Sequence, residues 1–164
     1  METENAGKKP RRKARRKKPR NESVSYVLEI TDWEWSFMFG VSPRRDMDGP
    51  YSDYRHLELR GKLLRPASIK ANEAELSLLP DHRLNEDQRG NHEPRSVGSL
   101  QLHRGRLEGI VSIPADALGA LLQMMSAGRL KYAVFDGEKL RYGQGRLRMF
   151  RLHATLDEDD LPPE

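Results

Sequence analysis

The stretch that most constrains this chain runs from Ser112 to Gly137, because it holds the one convincing helix in a sequence otherwise patterned for strands. Ser112-Ile113-Pro114 closes an apolar alternation and opens the helix. Proline near the first helical position costs no hydrogen bond, and Asp116 in the first turn meets the positive end of the helix dipole. Leu118, Leu121, Leu122 and Met125 recur at helical spacing, with Gln123 and Ser126 outside that face. Gly128 suits the left-handed residue beyond a helix end. The spacing therefore predicts one amphipathic helix over about 114–127, lying on a sheet. Leu130 to Phe135 is apolar again, and Asp136-Gly137 carries the signature of a type I′ hairpin turn leading to Glu138–Tyr142.

The rest of the body alternates at the strand period. Val24, Tyr26, Leu28 and Ile30 share one parity, whereas Trp33, Trp35, Phe37 and Phe39 share the other. A turn or a bulge at Thr31-Asp32 explains the switch, since one extra residue sends every later side chain to the opposite face. The four aromatics are expected in the core; an exposed platform for stacking bases or sugars is the sharper alternative. Leu57, Leu59 and Leu63 form a third apolar face, closed by Arg65-Pro66. Ala74, Leu76 and Leu78 follow. Leu100 and Leu102 pair with Leu107, Gly109, Val111 and Ile113 across a hairpin turn at His103–Arg106. Arg146 to Ala154 is the last strand. Leu147 and Met149 point one way and Phe150 and Leu152 the other, so this strand is either buried on both sides or bulged near Met149-Phe150.

These elements predict a mainly β protein, an antiparallel β-sandwich or strongly bent sheet with one helix; an α+β antiparallel sheet with the helix on one face is the alternative. The expected organisation is a disordered basic arm over 1–21, a single β-rich domain over 22–156 and a disordered acidic tail over 157–164.

Charge is distributed very unevenly. Of the 29 basic residues, ten lie between Lys8 and Arg20: Lys8, Lys9, Arg11, Arg12, Lys13, Arg15, Arg16, Lys17, Lys18 and Arg20. Only two of the 25 acids lie in residues 1–21, so the remainder holds 19 basic against 23 acidic residues. The chain's basic character thus belongs to the arm. A dense cationic segment interrupted by Pro10 and Pro19 suits sequence-blind, salt-dependent contact with phosphates. A solubilising tail or a nuclear localisation signal would use the same chemistry. Arg146 and Arg148 share a strand face and would extend the footprint.

Other motifs carry less. Asp46, Asp48 and Gly49 depart from the spacing of a calcium loop. Pro80 to Pro94 is a long polar loop in which His82 and His92 stand near carboxylates, without a third histidine close by. Gly143-Gln144-Gly145 lacks the Lys-Ser/Thr pair of a phosphate loop. The chain contains no cysteine, which excludes disulfides, thiolate metal sites and cysteine nucleophiles. No run approaches the ~18 apolar residues of a membrane helix, and no apolar segment follows the basic N-terminus as in a secretory signal.

The expectation from sequence is a non-enzymatic binding or adaptor protein. Its arm contacts nucleic acid or another polyanion, its β-rich body binds a protein partner, and it needs no cofactor, metal or membrane. Its expected place is intracellular and cytoplasmic, or nuclear in a eukaryotic cell or host. Two alternatives accompany this reading. One is an assembly or secretion component acting by strand addition; the other is a metal-dependent or acid–base enzyme built on the 80–94 loop.

Overall fold

The computed structural model describes residues 23–41, 50–88, 90 and 96–156. Seven strands form one closed barrel: β1 (Ser23–Val41), β2 (Tyr51–Arg65), β3 (Glu73–Asp81), β4 (Gly98–His103), β5 (Arg106–Pro114), β6 (Tyr132–Glu138) and β7 (Gln144–His153). The order around the barrel is β1-β2-β3-β5-β4-β7-β6. Every neighbouring pair is antiparallel except β3 and β5, which run parallel from Glu73↔Arg106 to Asp81↔Pro114. The expected mainly β class with one helix holds. The strongly bent sheet is bent to closure, so that β1 meets β6.

The interior explains why the chain closes. Tyr26, Leu28, Leu57, Leu59, Leu76, Leu78, Leu100, Leu107, Val111, Ile113, Phe135 and Leu147 are buried together, one to three from each strand. Tyr26 stacks on Phe135 across the β1–β6 seam at 5.4 Å between ring centroids. Gly109 sits between Leu76 and Leu100, where a Cβ would lie 2.5 Å and 2.9 Å from their methyl groups. Its missing side chain makes room for theirs.

The helix, α1 (Leu118–Ser126), follows a 3-10 turn over Ala115–Ala117 and buries Leu118 and Met125 in the barrel core. Gly128 takes a φ of 63°, and the amides of Gly128 and Arg129 donate to the carbonyls of Met125 and Met124. This is the glycine-terminated helix end that the sequence predicts.

Three local expectations come out differently or more sharply. The parity switch in β1 is a bulge, since the register passes from Ile30↔Gly61 to Asp32↔Arg60 and leaves Thr31 over. In β7 the bulge lies at Arg148, between Gly137↔Leu147 and Asp136↔Met149. Asp136-Gly137 is not a turn. Both residues lie inside β6, and the turn falls at Tyr142-Gly143, with φ of 53° and 78° and reciprocal hydrogen bonds between Arg141 and Gln144. Gly137 is needed there for close approach, because a Cβ would stand 2.5 Å from the Arg146 carbonyl oxygen. The hairpin at Arg104-Gly105 does fall where the sequence places it, with φ of 49° and 82°.

Candidate functional site

β1 and β2 outrun the barrel. β6 pairs with β1 only over Ser23–Glu29, and β3 pairs with β2 only over Leu57–Lys62, yet β1 and β2 stay paired to Val41↔Tyr51. The distal hairpin therefore has one strand neighbour on each side fewer than the wall. The face of β2 that carries the buried Leu57 and Leu59 continues outward through their cross-strand mates Trp35 and Trp33 to Phe37, Phe39, Val41 and Tyr51.

This corrects half of the expectation for the aromatic strand. Trp33 and Trp35 pack against the core. Phe37, Phe39 and Tyr51 do not: they are 59%, 62% and 63% exposed, because neither β3 nor β6 reaches far enough to roof them. Phe39 stacks on Tyr51 at 5.5 Å and 14°. Arg55 and Asp53 complete the same face as an ion pair of 2.8 Å. On the opposite face, Met38 and Tyr54 are exposed as well.

The outer wall over β1, β2, β3 and β5 is acidic. Arg60 lies among Glu34 (3.0 Å), Asp32 (3.6 Å), Glu75 (3.9 Å) and Glu58. Hydrogen bonds to Glu34 and then Glu58 hold its guanidinium pKa above the ordinary value. Arg106 reaches Glu73 and Glu75, each at 3.2 Å. Five carboxylates thus surround two guanidiniums, which leaves this group net negative.

The sequence-predicted cations fall in two places. Lys8, Lys9, Arg11, Arg12, Lys13, Arg15, Arg16, Lys17, Lys18 and Arg20 lie outside the described residues, although the chain joins the barrel at Ser23. Arg146 and Arg148 are exposed on β7, with Arg148 3.9 Å from Glu138. Arg151 on the same strand is 3.6 Å from Asp136. At the root of β1, Ser23, Ser25, Tyr26, Arg65, Pro66, Ile69 and Lys139 line an open groove of about 620 Å³. Tyr26 donates from its hydroxyl to the Glu138 carbonyl, 3.0 Å away. Burial pushes the phenol up to about 12, and a hydrogen bond with the Leu140 backbone opposes part of that rise.

The described part of the polar loop is held by local contacts. Asp81 caps the 3-10 turn His82–Leu84 through the Arg83 amide and also pairs with the Arg83 guanidinium at 2.7 Å. Asn85 and Glu86 exchange hydrogen bonds of 3.2 Å and 3.3 Å with Asp116 at the start of the helical segment. His92, like Asp46 and Asp48, lies outside the described residues. Among the described residues, no three histidine or carboxylate side chains are grouped so as to hold a metal ion. None of the helices is long and apolar enough to cross a membrane, again among the described residues.

The exposed aromatic hairpin is the feature that sequence reasoning held only as its alternative. Its signal was available in the length of the alternation, since a strand running from Ser23 to Val41 is far longer than a small barrel needs. Compared with models of protein families, with curated proteins and with solved structures, the chain matches none.

Proposed function

We propose that this protein is a non-enzymatic binding module that holds nucleic acid through its N-terminal arm and a protein through its barrel. The observation that carries the first half is the concentration of ten cations between Lys8 and Arg20, in a chain whose remainder is net negative. Neutralising phosphates with such a segment releases counterions, so affinity falls steeply with salt and depends little on sequence. The acidic wall around Arg60 supports a division of labour, because it turns a phosphate backbone away from β1, β2, β3 and β5. Arg146 and Arg148 on β7 offer the less acidic side.

The test is fluorescence anisotropy with a labelled 30-mer duplex of random sequence, across 50–200 mM salt. The full chain is expected to bind with a log–log salt slope of about −5 to −9, set by the phosphates that up to ten cations neutralise. A chain lacking residues 2–21 is expected to bind at least a hundredfold more weakly at 50 mM salt. Equal binding by the shortened chain sinks the arm's role.

The protein-contact half is favoured by the hairpin. Strand addition needs an unpaired strand edge, and among the described residues β1 beyond Ile30 and β2 before Leu57 each keep one.

A further inference from the structure

We infer that two copies of this chain associate hairpin to hairpin, packing the Phe37, Phe39, Val41 and Tyr51 faces against each other about a two-fold axis. This deepens the protein-contact half of the proposed function by naming the partner, and it does not depend on the nucleic-acid half.

The face needs a cover. It continues the barrel core outward, and Phe37, Phe39, Val41 and Tyr51 are all more than half exposed. At ~150–250 Å² for an aromatic side chain, they present roughly 450 Å² of apolar surface on one side of the hairpin. The largest apolar patch on a monomer is of about this size and is often functional.

The chain's own terminal segments offer little to cover it. Residues 1–22 carry only Met1, Ala6, Ala14 and two prolines as apolar side chains, and residues 157–164 only Leu161 and two prolines. A nucleic-acid strand finds no net positive charge on this face: by the strand register its charges among the described residues are Asp53 and Arg55, which pair with each other. A base-stacking platform adds a cationic groove to its aromatics.

A second copy meets no such penalty. Ser36 to Val41 is uncharged, and among the described residues the only charges on the face, Asp53 and Arg55, neutralise each other as an ion pair. Two-fold packing requires a surface complementary to itself, and an apolar ribbon whose described charges cancel satisfies that. Roughly 450 Å² from each copy makes about 900 Å² of apolar contact before any polar rim, close to the roughly 1,000 Å² that a biological interface clears. Three exposed aromatics at its centre are the residue types that dominate interface energetics.

The test uses the full chain after nuclease treatment, in 0.5 M salt so that the arm holds nothing. Sedimentation velocity is expected to show twice the 18.9 kDa chain mass at 20 μM. Phe37→Ser and Phe39→Ser are each expected to weaken the dimer about tenfold or more, with the far-ultraviolet β-sheet spectrum unchanged. Should either serine variant misfold, Gly40→Cys provides a second measurement. The chain has no other cysteine, and a Cβ at Gly40 meets nothing within 4 Å. A nitroxide placed there is expected to report a defined distance to its mate in the other copy.

A monomer at 20 μM overturns the inference. So does a dimer indifferent to both serine variants with no measurable nitroxide pair. A monomer whose capture of a different protein depends on Phe37 leaves the protein-contact reading standing and removes self-pairing. Loss of single-stranded oligonucleotide binding in Phe37→Ser, with no change of mass, reassigns the face to bases and overturns self-pairing as well.

Discussion

Gly61 is the position where a single methyl group should do most damage. It faces Ile30 across the β1–β2 ladder, at the place where Thr31 bulges and β1 leaves β6. A Cβ there would sit 1.8 Å from the Glu29 carbonyl oxygen and 2.8 Å from its carbon. Ordinary contact begins near 3.4 Å, so the two backbones must part by about 1.5 Å. Backbone cannot rotate away as a side-chain tip can. The overpacking costs ~1–3 kcal/mol, and each ladder hydrogen bond stretched open adds ~0.5–1.5 kcal/mol. Gly61→Ala is therefore expected to destabilise by about 3–4 kcal/mol and to lower Tm by roughly 10–15 °C. Gly40→Ala is the matched control. It is the same chemical change in the same strand pair, with nothing within 4 Å of the new methyl. There the unfolded chain loses freedom and the folded one loses nothing, so a gain of ~0.4–1 kcal/mol is expected. Urea unfolding of both variants, read at equal slope, measures the difference. If the two alanine variants lie within about 1 kcal/mol of each other, the steric reasoning at the bulge fails.

Other perturbations follow from the same geometry. Leu76→Ala is expected to cost about 3 kcal/mol, and Gly109→Ala alone should also destabilise, since its methyl would press on the Leu76 side chain at 2.5 Å. Combined, each relieves the other, and a double-mutant cycle should return a favourable coupling of about 1 kcal/mol or more; additivity would show that the two do not share space. Tyr142→Asn should stabilise by ~0.5–1 kcal/mol, because a fully exposed tyrosine holds a φ of 53° that asparagine tolerates better. Alkaline unfolding reports on Tyr26. Its phenol is raised in the folded state, so its contribution is intact below pH ~10 and is lost as pH rises toward about 12. Tyr26→Phe should remove that loss, worth about 1–2 kcal/mol after discounting for the groove beside the hydroxyl; parallel pH profiles for the two proteins would refute it. Arg60→Ala should destabilise more at low than at high salt, since it leaves Asp32, Glu34, Glu58 and Glu75 facing one another; salt-independent loss would indicate packing instead.

Much of the local structure was legible in the sequence, and the physical reason is that it is local. Pro114, the leucines at helical spacing and Gly128 act within a few residues of one another, so the helix and its glycine-terminated end fall where expected. The Thr31 bulge was legible because a parity switch is a one-dimensional signal. Asp136-Gly137 misled because the same glycine that relaxes a turn also permits close approach inside a strand. Which of the two applies is decided by Arg146 and Leu147, some ten residues downstream. The closure of the sheet and the parallel β3–β5 pair depend on which strands meet, and apolar alternation is the same in every register partner. Exposure of Phe37 and Phe39 was hidden for the same reason. Their pattern is that of a core strand, and only the short reach of β3 and β6 uncovers them. The cations of the arm were read from charge alone, and their role rests on the binding experiment.

The length of β1 has a further consequence. Nineteen residues at ~3.3 Å each make a strand of roughly 60 Å, less whatever the barrel's curvature takes up. The cationic arm is tethered at its Ser23 end and the aromatic face lies at its Val41 end. A two-fold axis set across the strands would hold the two arms apart, with at most about 120 Å between their tethers. At ~3.4 Å per base pair that is some 35 base pairs. The pair would act as a molecular ruler: duplexes well below that length engage one arm, longer ones engage both, and affinity should step upward between the two regimes.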